Sequence, residues 1–110
     1  MTTLTKQGDA CILAVAGELN RASVEQFREL ADSCLPSDAR DFLVDLVDCT
    51  GVDSVGLEAL TWLNRTCQER LGLAKLCAPS DTFEKILEMT RLKQQLDVCT
   101  TLEEAFAALK

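Results

Sequence analysis

The sequence predicts an α/β fold with a largely parallel sheet. Three observations lead there. Short apolar runs alternate with segments of helical periodicity along the whole chain, in the order β-β-α-β-α-β-α-β-α. The connections between them are short, so successive strands must be joined by right-handed crossovers. A length of 110 residues with 47% hydrophobic content suits one domain, taken as 1–110, with a single modest core.

Each element has its own signal. Residues 2–7 alternate and read as a short edge strand, closed by the Gly8-Asp9 turn. Residues 10–19 are nearly all apolar, with β-branched Ile12 and Val15, and read as one central buried strand. "ASVEQFRELADSCLP" is helical: Ser23 and Gln26 have capping-box spacing, Val24, Phe27, Leu30, Ala31 and Cys34 share a face, and Pro36 stops it. Residues 41–47 form the next strand, with Phe42, Val44 and Leu46 on one side and Leu43, Asp45 and Val47 on the other.

"DCTGVD", residues 48–53, reads as a turn into a helix from about Ser54 to Leu71, with Gly72 as its C-terminal glycine. Residues 73–78 are a strand. Pro79-Ser80-Asp81 opens a helix to about Arg91, with Phe83, Ile86, Leu87 and Thr90 on one side. Residues 96–99 are a short strand. The last helix begins at the Thr101–Glu104 capping box and carries Leu102, Ala105, Phe106 and Leu109 as its stripe.

Composition removes several functions. With 11 basic and 18 acidic residues the formal charge is −7, which disfavours nucleic acid and anionic membranes as partners. The opening is polar, and the longest apolar run, residues 10–16, is too short to cross a bilayer. The expectation is a cytoplasmic protein with no membrane insertion. The six cysteines contain no C-x-x-C pair and there is no histidine, so a Cys/His zinc site is excluded and the cysteines read as buried thiols. Asp45 and Asp48 read as solvated turn carboxylates rather than metal ligands. With no histidine base, no G-x-S-x-G elbow, no phosphate-binding glycine loop and no singled-out carboxylate pair, the expectation is no catalytic residue, no cofactor and no enzyme.

The informative stretch is "DLVDCTGVDSVGLEAL", where a strand hands over to a helix. In βα folds, ligands and modifications collect at the carboxyl ends of strands, beside helix N-termini. Ser54 is placed there. Free backbone N–H groups and a partial positive charge make that end a natural seat for phosphate. Ser and Asp are also the usual N-caps, so composition and spacing leave capping open as the alternative role of Ser54.

The chain resembles the STAS domain family of bacterial anti-sigma factor antagonists over essentially its full length. "AVAGELN" is similar to the family's G-x-L-D strand end. "FLVDLVDCTGVDSVGLEAL" is similar to its strand-turn-helix ending in D-S-S-G-L, and "LEMTRLKQQLDVCTTLEEAFAAL" to its closing elements. Val55 stands at the motif's second serine, Asn20 where the family usually has Asp, and Gly51 where a bulky apolar residue is common.

The resemblance implies a STAS-like (SpoIIAA-like) fold: a mixed, mostly parallel sheet of four or five strands and four helices, mainly on one face. It also implies a partner-switching role. Ser54, directly after Asp53, matches the serine that a cognate anti-sigma serine kinase phosphorylates. The unphosphorylated antagonist binds that kinase and frees the sigma factor, and a serine phosphatase resets the modified form. Asn20, Arg21, Asp53, Ser54, Val55, Gly56, Glu58, Thr61 and Trp62 are the candidate partner contacts. Gly56 is the position where a missing side chain lets a partner's loop approach.

Three other functions are weighed. STAS-like proteins also serve as subunits of ATP-driven lipid transporters, docking on the ATPase without phosphorylation. An aspartate-phosphorylated receiver needs an early acidic pair and a late-strand lysine, which are absent. A nucleotide-binding module would have no visible phosphate loop here.

Overall fold

The computed structural model describes residues 1–35 and 40–108. The strands are β1 (Thr2–Gln7), β2 (Ala10–Val15), β3 (Gly17–Leu19), β4 (Asp41–Asp45), β5 (Cys49–Val52), β6 (Ala74–Cys77) and β7 (Asp97–Cys99). The helices are α1 (Val24–Cys34), α2 (Ser54–Glu69), α3 (Asp81–Met89) and α4 (Leu102–Ala108). A 3₁₀ turn, Leu92–Gln94, follows α3. Pro36 and Leu109 lie outside the described residues.

The main sheet is five-stranded, in the order β1-β2-β4-β6-β7. Only the β1–β2 pair is antiparallel, joined at Gly8 with φ +61°; the β2–β4, β4–β6 and β6–β7 pairs are parallel. Alternation along the strands sends Cys11, Leu13, Val15, Phe42 and Val44 into a core beneath α1, α2 and α3. Ile12, Leu43, Cys77 and Cys99 face the other way, under Ala105, Leu102 and Phe106 of α4. The α/β class, the mixed, mostly parallel sheet and the four helices expected from sequence are therefore present. No helix among the described residues is long and apolar enough to cross a membrane.

Several local expectations need correction. The run expected as one strand over residues 10–19 breaks at Ala16, just before Gly17, whose φ of +81° is a left-handed conformation that suits glycine. Beyond the break, β3 leaves the main sheet and pairs in parallel with β5. The expected turn at residues 48–53 thus contains a strand. The Ser23–Gln26 capping box does not form: Ser23 makes no side-chain cap, and Gln26 Oε1 instead accepts the Thr2 N–H of β1 at 3.0 Å.

The end of α2 also differs. Leu71, not Gly72, takes the left-handed position, at φ 62°. Gly72 N–H donates to the Cys67 carbonyl at 2.8 Å and Leu71 N–H to that of Gln68 at 3.0 Å, which is the Schellman pattern. Gly72 is needed for a different reason: a Cβ there would fall 1.9 Å from the Arg40 carbonyl oxygen.

Candidate functional site

The β3–β5 pair positions the N-terminus of α2. Asp53 N–H donates to the Leu19 carbonyl at 3.2 Å, fixing the chain just before the helix. Asp53, extended at φ −108° and ψ −176°, is the N-cap, and its Oδ1 accepts the Gly56 N–H at 2.9 Å. Its Oδ2 accepts the Arg21 N–H at 3.0 Å, tying the β3–α1 loop to the helix start. The Gly56 bond, reinforced by the Arg21 bond and the nearby Val55 N–H, lowers the Asp53 pKa from its ordinary value.

With the cap taken by Asp53, Ser54 becomes the first residue of the helix proper. It is exposed, and its hydroxyl makes no hydrogen bond among the described residues. Capping, the alternative role that the sequence left open for Ser54, is thus performed by Asp53. Val55 is half-buried and packs against the core, so an apolar residue suits the place of the motif's second serine.

Gly56 is buried. A Cβ there would come within 2.3 Å of the Leu19 carbonyl oxygen and 2.8 Å of Val52 Cγ2. The close approach that its missing side chain allows is therefore made by β3 of the same chain, and the reading of Gly56 as a partner contact is corrected.

Asn20 is a loop organiser. Its Oδ1 accepts the Ala22 and Ser23 N–H groups at 2.9 and 3.2 Å, and its Nδ2 donates to Glu18 Oε2 at 3.0 Å. An aspartate could accept the first two bonds but would repel Glu18. Ser23 completes the loop, its hydroxyl donating to the Glu18 carbonyl at 2.7 Å. Arg21 is exposed beside it. A recess of about 310 Å³ lies here, lined by Glu18, Asn20, Gly51, Val52, Asp53 and Ile86.

Further along α2, Glu58, Thr61 and Trp62 meet at a groove of about 420 Å³. Its remaining walls are Leu57 and Arg65 of the same helix, Arg28 of α1 and Leu92 of the 3₁₀ turn. The Arg28 guanidinium sits over the Trp62 ring, 5.1 Å from its centroid. Trp62 is half-buried against the core, while the Thr61 hydroxyl donates back to the Leu57 carbonyl at 3.0 Å. Helical spacing puts Ser54, Glu58, Thr61 and Arg65 on one face. Sequence reasoning missed Arg28, Arg65, Leu57 and Leu92. Extending the Ser54–Glu58–Thr61 face one more turn would have found Arg65. Arg28 and Leu92 arrive only through tertiary packing.

Asp45, weighed as a metal ligand, accepts the Val47 N–H at 3.2 Å as a turn carboxylate. Among the described residues no three His, Cys, Asp or Glu side chains gather into a potential metal site.

Sequence comparison with curated proteins gives no match. Among solved structures, a Thermotoga maritima protein assigned as an anti-sigma factor antagonist superposes with a TM-score of 0.91 at 22% identity, covering 97% of this chain and 92% of that one. The phosphorylated form of the Bacillus cell fate determinant SpoIIAA superposes with a TM-score of 0.79 at 21% identity, covering 100% of both chains. A sulfate transporter family protein from Wolinella succinogenes gives 0.80 at 17% identity, over 96% of this chain and 89% of that one. These likenesses concern the fold. The STAS domain family model matches residues 1–105, and the chain belongs to that family.

Proposed function

We propose that the protein is an anti-sigma factor antagonist that works by partner switching. Its unmodified form binds a cognate anti-sigma serine kinase through the start of α2, and phosphorylation of Ser54 ends that binding until a serine phosphatase restores it. The observation that carries this reading is the division of labour at the helix start: Asp53 is the cap, and Ser54 is left exposed with an unengaged hydroxyl.

The physical basis is electrostatic. A phosphate adds about −1.5 to −2 charge at pH 7. The helix N-terminus tolerates an anion, but here the Asp53 carboxylate already occupies the Gly56 N–H. The added charge faces a like charge and resists the desolvation that docking requires. A differential penalty of about 2–4 kcal/mol weakens binding by roughly 30- to 1,000-fold. That is enough to exchange partners without refolding.

The test is to incubate the protein with each candidate anti-sigma serine kinase of its source organism and ATP, and to map phosphate by mass spectrometry. Label is expected on Ser54. Label on Thr50 or Thr61 with none on Ser54 would overturn the reading. A protein that instead captures a transporter ATPase, with no label at all, belongs to the transporter-subunit class.

A further inference from the structure

We infer that the groove between α1 and α2 docks an acidic amphipathic helix of the kinase partner, with the partner's carboxylates meeting Arg28 and Arg65 and its apolar side covering Trp62. The inference rests on the proposed function and names the chemistry of its partner. Three observations carry it.

The first is charge. The chain has a formal charge of −7, yet two arginines, Arg28 and Arg65, line this groove beside its apolar residues. Neither guanidinium forms an ion pair with a carboxylate among the described residues; Arg28 rests on the Trp62 ring and Arg65 is exposed. Even Glu58, which lines the same groove, pairs with neither. Two uncompensated cations in an acidic protein complement an acidic partner surface.

The second is shape. Leu57, Trp62 and Leu92 give the groove an apolar floor, and its volume of about 420 Å³ accommodates a few large side chains rather than a whole domain. An amphipathic helix that lays alternate-turn apolar residues into such a floor fits it. Trp and Arg are also the residue types that most often dominate an interface.

The third is position. Glu58 is one turn beyond Ser54 on the same face, so the groove begins about 6 Å along the helix from the hydroxyl. A helix seated there ends beside Ser54, so a phosphate on that serine meets the near end of the docked segment, while carboxylates held by Arg65 lie eleven residues, about 16 Å, further along α2.

The experiment uses purified protein and the purified kinase that labels Ser54, with no nucleotide hydrolysis during binding. Trp62 is the only tryptophan, so its emission reports the groove directly in complex with a tryptophan-free form of the kinase. Binding is expected to shift that emission. The Arg28→Glu/Arg65→Glu variant is expected to bind roughly 10- to 100-fold more weakly, while Arg28→Lys/Arg65→Lys keeps most of the affinity. Thermal melts of both variants check that the fold survives. Unchanged affinity of the folded Glu variant, or unchanged Trp62 emission at saturation, would overturn the groove inference while Ser54 labelling leaves the switch standing. If no kinase labels Ser54 or binds the Ser54→Ala form, both readings fall together.

Discussion

At the start of α2 the Asp53 carboxylate holds two backbone N–H groups, from Gly56 and Arg21, and adjacent Ser54 holds none. Both bonds stabilise the ionised carboxylate, so the Asp53 pKa is depressed on folding. The sign follows by linkage: the stability this group contributes is fully present above its unfolded pKa of about 3.9 and is lost as pH falls through the lower folded value. Thermal melts across pH 2–6 are expected to show a shallower acid limb for Asp53→Asn than for the parent. Parallel limbs would deny the carboxylate its capping role. Two glycines nearby make opposite predictions. Gly56→Ala forces a Cβ against the Leu19 carbonyl at 2.3 Å, and is expected to cost about 2–3 kcal/mol in urea unfolding. Gly51→Ala meets only the Glu18 side chain, at 3.6 Å or more, and is expected to stay within about 0.5 kcal/mol of the parent.

At the scale of elements, the end of α2 stores conformational strain. Leu71 is 84% exposed and left-handed at φ 62°, a conformation that costs an L-residue about 1–2 kcal/mol. Its side chain gives little back through burial. Leu71→Gly is expected to raise stability by about 0.5–1 kcal/mol, seen as a higher melting temperature, after allowing for glycine's greater entropy when unfolded. The main elements were legible because their apolar periods are strong, as in β2, β4 and the stripe Leu60, Leu63 and Cys67. Strand β5 was not, because Cys49–Val52 is four residues long, contains Gly51 and sits between Asp48 and Asp53, all of which read as turn chemistry. Only pairing with β3, set by the bend at Gly17, makes it a strand. The Ser23 cap failed for a local reason: hydrogen bonds within its own loop, to the Glu18 carbonyl and from the Asn20 N–H, engage its hydroxyl. At the candidate site, Ser54 and Glu58 were readable from helical spacing. The α1 wall of the groove was not, because nothing local links Arg28 to Trp62.

Across the whole molecule, chemistry is confined to the surface. Cys77 and Cys99 lie under α4, and Cys11, Cys34, Cys49 and Cys67 lie in the core beneath α1, α2 and α3, while the outer side of α1 and α2 carries the groove and α2 begins at exposed Ser54. All six cysteines are buried thiols outside any disulfide. Desolvation, aided by the neighbouring Cys34, pushes the Cys11 thiol up to about 12; burial, aided by Cys99 and Asp45, pushes Cys77 up to about 12, and burial is the largest cause of the rise of Cys67 to about 11. Native protein is therefore expected to be nearly inert to a thiol reagent at pH 8, and unfolded protein to react at all six positions; fast native labelling would show that the core opens. A buried interior of this kind suits the proposed switch, which acts by surface charge. The central claim is that one anion at Ser54 decides which protein may dock. Calorimetric titration of the kinase with unmodified and Ser54-phosphorylated protein tests it most directly. Binding weakened by roughly 30- to 1,000-fold on phosphorylation is the predicted result, and equal affinity of the two forms would contradict it.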